Sequence, residues 1–297
     1  MRRHPVLFGI LLLFCVGLTF FFLIHILSSP QKGGYAFSSS SRVGVIAVEG
    51  VITAADDTVR EIEDFVRDAR VKAIVIRIDS PGGGVAPTQE IYDAIREAGG
   101  KKKVVASMGA IAASGGYLLA CAADEIVANP GTITGSISAI MHFADVQELM
   151  RKIGIGSSVV KSGKFKDIGS PVRDMTEEEK MLIQQMVDDV YDQMLVVIAD
   201  RRKMDREHLL RIADGRIMTG RQAQQAGLVD HMGNQRFAVR LAAKMAGIEG
   251  EPEAVYPVRK KAFLRDFLLE SLALSFKRVL LQNGQKTDGL KYLFRAE

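Results

Sequence analysis

Three short apolar runs restrict the fold of this chain more than any other feature: VGVIAV (43–48), KAIVIRID (72–79) and KVVASMG (103–109). The spacers between them carry helical periodicity. TVREIEDFVRDARV places Val59, Ile62, Phe65, Val66 and Ala69 on one helical face, and PTQEIYDAIREA (87–98) reads as a helix with proline at its start. Strands rich in Val and Ile that alternate with helices are parallel strands of a layered α/β sheet. After the third strand a helix is expected to open within AIAASGGYLLACAAD (110–124). The alternation continues through DEIVANP, ADVQELMRKIG and GSSVVKSG as strand, helix and strand. From Thr176 the pattern changes to one long amphipathic helix, TEEEKMLIQQMVDDVYDQMLVVIADRRK, acidic in its first turn and basic in its last. Thr176 and Glu179 have the spacing of a capping box. Shorter helices are predicted at 205–213, 219–226 and 234–246. The sequence has no internal repeat, so one catalytic unit is expected.

The ends of the chain differ from this centre. Residues 5–27, PVLFGILLLFCVGLTFFFLIHIL, hold one ionisable side chain, His25, and match the length of about 20 apolar residues that spans a bilayer. The apolar core of a cleaved signal peptide is shorter, about 7–15 residues. An uncleaved signal-anchor is therefore predicted, with Arg2 and Arg3 holding the N-terminus in the cytoplasm and the rest of the chain outside it. Residues 28–42 are Ser/Gly-rich and read as a flexible linker. A folded domain over 43–249 follows, and then a tail, 250–297, containing the basic amphipathic stretch RKKAFLRDFLLESLALSFKRVLL. A net charge of +4 over 297 residues, with no central basic run interleaved with aromatics, does not suggest nucleic acid as a partner. The two cysteines, Cys15 and Cys121, lie in the apolar run and in a predicted helix, so no disulfide framework is expected.

Chemistry is signalled by three glycine-bearing turns, each after a predicted strand: Asp79-Ser80-Pro81-Gly82-Gly83-Gly84, Ser114-Gly115-Gly116 and Thr134-Gly135-Ser136. Consecutive glycines weaken a fold unless the backbone takes unusual dihedrals or approaches a ligand closely. In a parallel sheet such turns gather at the carboxyl edge, where α/β proteins bind ligands. A serine at a helix start beside donor-rich backbone is the arrangement of an acyl-transfer site: a nucleophile with an oxyanion hole. Singly, each turn is also explained by tight loop chemistry, and Ser114 by helix capping.

A serine nucleophile needs a base. His142, His208 and His231 are distant from the glycine turns in sequence and read as surface or structural histidines. Asp124 alone is too weak a base. Lysine is the alternative, and VVKSGKFKDIGSP (159–171) offers Lys161, Lys164 and Lys166. An ordinary lysine, with a pKa of about 10.4, is protonated at neutral pH, so a lysine base must lie in surroundings that disfavour its charge. On composition alone this cluster reads as a solvated loop.

The segments IDSPGGGV, AASGGYLLACAADEIVANPGTITGSI, VVKSGKFKDIGSPVRDMTEEEK and ADGRIMTGRQAQQAGLVDHMG, spread over about 43–247, together resemble the bacterial signal peptide peptidase A family. These are serine peptidases of the Clp protease/crotonase superfamily. The resemblance implies a layered α/β fold of repeated ββα units, here preceded by the N-terminal transmembrane helix. It further implies a catalytic dyad in which Ser114 is the nucleophile and Lys166, rather than Lys161, the general base. The oxyanion hole falls on Gly83 and Gly115, with Gly82 as the alternative donor, and Ser136 is a candidate to orient the lysine. No cofactor and no metal are implied. The expected partners are cleaved signal peptides and other hydrophobic peptides, the membrane, and further copies of the chain in a ring with shared sites. The expected location is the bacterial inner membrane. The chain departs from the family pattern at Leu118, Ser138 and Phe165; none of these removes a catalytic residue, and Phe165 would help dehydrate Lys166. Two other readings stand beside this one, a crotonase-like acyl-CoA enzyme and an inactive scaffold.

Overall fold

Along the central strands both faces of the pleat are apolar, and the structure uses both. In the computed structural model, which describes residues 17–19, 41–257 and, by backbone alone, 291–293, five parallel-paired strands make the centre of one mixed sheet. β1 (Arg42–Glu49) pairs in parallel with β2 (Val71–Ser80), and β2 with β4 (Lys103–Ala113); β3 (Gly82–Gly84) lies between them in sequence. The far edge of β4 is shared. Its first half, Val105–Ser107, pairs with β5 (Glu125–Ala128), and its last residues, Ile111–Ala113, pair with β6 (Ile133–Gly135). Short strands complete the edges: β7 (Ile217–Thr219) antiparallel on β6, β8 (His231–Met232) on β5, and β9 (Glu253–Val255) on β1. The sheet thus runs past residue 249.

On one face Ile46, Ile74, Ile76, Val104 and Ala106 join a large core with α1 (Asp56–Arg67), α2 (Val85–Gly99) and α3 (Gly115–Cys121), backed by α5 (Glu177–Arg202). On the other face Val43, Val45, Ala73, Val75 and Val105 meet Ala238, Val239, Ala242 and Ala243 of α8 (Gln235–Met245). Each fully buried Val or Ile contributes about 1.5–3 kcal/mol, which drives the layering. The remaining helices are short: α4 (Gln147–Lys152), α6 (Arg206–Leu210) and α7 (Gly220–Gln225). The capping box at Thr176 forms, with Glu179 N–H donating to Thr176 Oγ1 and Thr176 N–H to the Glu179 carboxylate.

Two expectations change. β4 does not stop at Gly109 but continues to Ala113, so AIAA is strand and the helix begins at Gly115. GSSVVKSG forms no strand; it is exposed coil that pairs with no strand of the sheet. Among the described residues no helix is long and apolar enough to cross a membrane. The apolar run 5–27 lies outside the described residues except for helical 17–19, and the amphipathic stretch of the tail lies outside them entirely.

Candidate active site

The end of β4 explains the placement of Ser114. Ile78 pairs with Met108 and Ser80 with Ala112, so β4 spends two more residues than β2 over the same step. The Asp79 carboxylate holds this bulge by accepting from Ile111 N–H at 3.1 Å and Ala110 N–H at 3.4 Å. Thr132 Oγ1 donates to Gly109 carbonyl on the opposite side at 2.7 Å. Beyond the bulge β4 leaves β5 and takes β6 as its neighbour, and Ser114 N–H closes the ladder by donating to Gly135 carbonyl at 2.8 Å.

Ser114 sits at the corner between β4 and α3 with φ 55° and ψ −118°. A non-glycine residue in this region is strained, by about 1–3 kcal/mol, and persists only where its surroundings enforce it. Its hydroxyl is not used as a cap. Ser114 Oγ is buried and, among the described residues, has no hydrogen-bond partner. A buried polar atom left unpaired costs about 1–3 kcal/mol and calls for a ligand or a chemical role. Gly115 opens α3, so its N–H has no acceptor within the helix. Gly116 lets α3 approach β2: a Cβ there would stand 2.6 Å from the Ser80 carbonyl.

The first glycine turn lies against α3. Its amides can be distinguished. Gly82 N–H donates to Ser80 Oγ at 3.1 Å, and Gly84 N–H to Ile52 carbonyl at 2.8 Å, while Gly82 carbonyl accepts from Ile52 N–H at 3.0 Å. Alternation along a strand therefore turns the N–H and C=O of Gly83 to the opposite edge. On that edge β10 (Lys291–Leu293) pairs antiparallel, with Tyr292 opposite Gly83. The tail thus returns to the glycine strand, a placement with no sequence signal. Gly83 has a packing reason to be glycine, since a Cβ would lie 2.1 Å from Ile52 carbonyl oxygen. The third turn also takes an uncommon backbone: Ser136 has φ 52° and its N–H donates to Arg216 carbonyl at 2.7 Å.

Lys166 lies elsewhere, on an exposed segment of successive tight turns in which Lys166 N–H donates to Gly163 carbonyl at 3.1 Å. Its two neighbouring lysines are occupied. Lys161 Nζ pairs with Asp167 and donates to Lys164 carbonyl, and Lys164 Nζ pairs with Glu178. Among the described residues Lys166 Nζ has no hydrogen-bond or ion-pair partner, and in the single chain it does not reach Ser114 Oγ. Three other candidate bases are engaged structurally. His231 Nε2 lies 3.1 Å from Glu125 Oε2, His208 contacts Arg211, and Asp124 accepts from Val104 N–H at 3.0 Å. Cys121 does not compete as a nucleophile: burial pushes its thiol up to about 11.

One feature escaped sequence reading. Arg173 donates through Nε and Nη2 to both carboxylate oxygens of Asp167 (2.8 and 2.9 Å) and through Nη1 and Nη2 to both of Glu179 (2.8 and 2.6 Å). Glu179 is 3% exposed. The alternation of charge in KDIGSPVRDMTEEE carried the signal, but the pairing needs the folded loop.

Known proteins share these segments. The family model described as "Peptidase family S49" matches residues 96–249, and that described as "Clp protease" matches 46–133. A Synechocystis protein named as a protease is 39% identical over 218 residues, covering 72% of this chain and 79% of the relative. Protease 4 of Salmonella typhi is 38% identical over 197 residues, 65% of this chain and 31% of that protein. The chloroplastic serine protease SPPA of Arabidopsis thaliana is 32% identical over 241 residues, 80% of this chain and 34% of its own length. The chain therefore spans about a third of these two longer relatives. A strained, buried, unpartnered serine on the sheet edge is thus found within a chain that belongs to peptidase family S49.

Proposed function

We propose that this protein is a membrane-anchored serine endopeptidase in which Ser114 attacks the peptide carbonyl and Lys166 is the general base. The observation that carries the reading is Ser114 itself: buried, at φ 55°, with its hydroxyl unpartnered at the mouth of α3. Gly115 N–H, at the start of α3, and Gly83 N–H, on the edge of β3 turned away from Ile52, are the oxyanion donors of this reading. Lys166 is favoured over Lys161 and Lys164 because its amine alone among the three is uncommitted. Ser136, beside the same sheet edge, orients that amine.

The substrate backbone is read as an extended strand. The edge of β3 turned away from Ile52 is the substrate track of this reading, and the pairing with Lys291–Leu293 on it illustrates how an antiparallel segment lies across Gly83. The preferred substrates are hydrophobic peptides, remnant signal peptides among them, because the apolar run 5–27 would hold the enzyme in the bacterial inner membrane where such peptides collect. The arm that leads to Lys166 exposes Leu149, Ile153, Val159 and Val160, an apolar surface suited to a neighbouring copy. In an oligomeric ring that neighbour's Ser114 would meet this Lys166.

Labelling with a fluorophosphonate probe tests the nucleophile. Wild-type protein is expected to carry the label on Ser114, and Ser114→Ala to lose both label and peptidase activity while keeping its fold. Labelling elsewhere, or turnover by Ser114→Ala, would overturn the assignment.

A further inference from the structure

We propose that Arg173 is the positioning residue for the base, fixing the loop of Lys166 by tying Asp167 to the first turn of α5. The inference rests on the reading of Lys166 as base and adds how a lysine on an exposed loop acquires a defined place.

The loop has no apolar core of its own and is held by charge, Lys161 on Asp167 and Lys164 on Glu178 adding to the clamp. Residues 155–164 are exposed coil and tight turns, and the segment contributes no strand to the sheet. Asp167, the residue next to Lys166, is gripped by Arg173 at both carboxylate oxygens, and Arg173 Nη2 also donates to the Asp167 main-chain carbonyl at 3.2 Å. The other side of the guanidinium is bidentate on Glu179, whose carboxylate accepts in addition from Thr176 N–H at 2.9 Å. Bidentate arginine–carboxylate pairs fix direction as well as distance, because the guanidinium is a rigid planar fork. Backbone motion of the lysine loop is therefore coupled to a helix anchored in the core by Met194, Leu195 and Ile198.

The clamp also sets charge. The charged groups of this region are Lys161, Lys164, Asp167 and Arg173 on the lysine's own segment and Glu178 and Glu179 from α5. Arg173 holds the Asp167 carboxyl far below the usual carboxylate range, so Asp167, the next residue in the chain after Lys166, remains an anion offset by the guanidinium. Removing Arg173 leaves that anion less compensated and favours the protonated amine. Removing the charge of Asp167 does the reverse.

These opposite signs make the test. Full-length Arg173→Met and Asp167→Asn enzymes are compared with wild type and Lys166→Ala for kcat, KM and the pH–rate profile on an apolar peptide. Arg173→Met is expected to lose about 10–100-fold in kcat, the scale of a displacement of about 1 Å in a reacting group, with KM within about twofold. Its rising limb is expected to move to higher pH and that of Asp167→Asn to lower pH. Arg173→Lys keeps the charge but not the fork, so its limb is expected to stay while kcat drops. In a Lys166→Ala background Arg173→Met adds no further loss. Normal kcat in Arg173→Met beside an inactive Lys166→Ala would overturn the clamp alone. A loss that merely follows melting temperature, with both limbs unmoved, would also overturn it. Activity in Lys166→Ala would remove the base and the clamp together.

Discussion

The two halves of the proposed dyad stand on ground of opposite character. Ser114 lies in the most constrained part of the molecule, buried between two strand partners and a helix, with an Asp79-held bulge forcing its backbone into a strained corner. Lys166 lies on an exposed loop held by ion pairs, Arg173 with Asp167 and Glu179, Lys161 with Asp167 and Lys164 with Glu178. The contrast teaches that a nucleophile can be placed by covalent geometry and packing, while a base must be placed by charge when its loop has no core of its own. It also explains why one chain leaves both groups unpartnered: the serine needs a visitor at the sheet edge, and the lysine arm presents apolar side chains to solvent.

Breaking the rigid side is expected to have the larger effect. Gly83→Ala forces a Cβ into Ile52 carbonyl, so β3 must move and its N–H leaves the oxyanion position. Loss of one such donor costs about 10²–10³ in rate. A folded Gly83→Ala enzyme, checked by thermal melting and assayed for kcat, with normal turnover would show that Gly83 is not a donor. Opening the same edge is expected to do less. A chain ended at residue 290 lacks the strand that covers Gly82–Gly84, so KM for an extended peptide should fall several-fold with kcat unchanged; an unaltered KM would separate β10 from the substrate track. The smallest effect is expected at Ser136, which orients rather than reacts. Ser136→Ala should lower kcat more than about twofold, and a change within that range would leave the serine as turn chemistry only.

The sequence carried much of the rigid half. Val/Ile runs gave β1, β2 and the first part of β4, because residues buried on both faces leave no alternative to a covered sheet. The capping box gave the start of α5. The continuation of β4 through Ala110–Ala113 was not legible, because alanine is indifferent to strand or helix and the deciding group, Asp79, lies about 30 residues away in sequence. GSSVVKSG has the β-branched residues of a strand but pairs with none in the fold, and pairing depends on residues far from the segment. The motif SGGY pointed to Ser114, yet only the fold shows the strain at φ 55° and the empty hydroxyl. Among the three lysines the resemblance singled out Lys166, and the fold adds that Lys161 and Lys164 are held in ion pairs.

The central claim is that the rigid and the clamped halves meet between neighbouring chains. Inactive Ser114→Ala and inactive Lys166→Ala proteins are mixed, allowed to exchange subunits, and assayed for peptide hydrolysis. Recovery approaching about a quarter of wild-type activity is predicted, because random neighbours in a ring place an intact Ser114 against an intact Lys166 at that share of interfaces. Mixed oligomers with no recovered activity would contradict it.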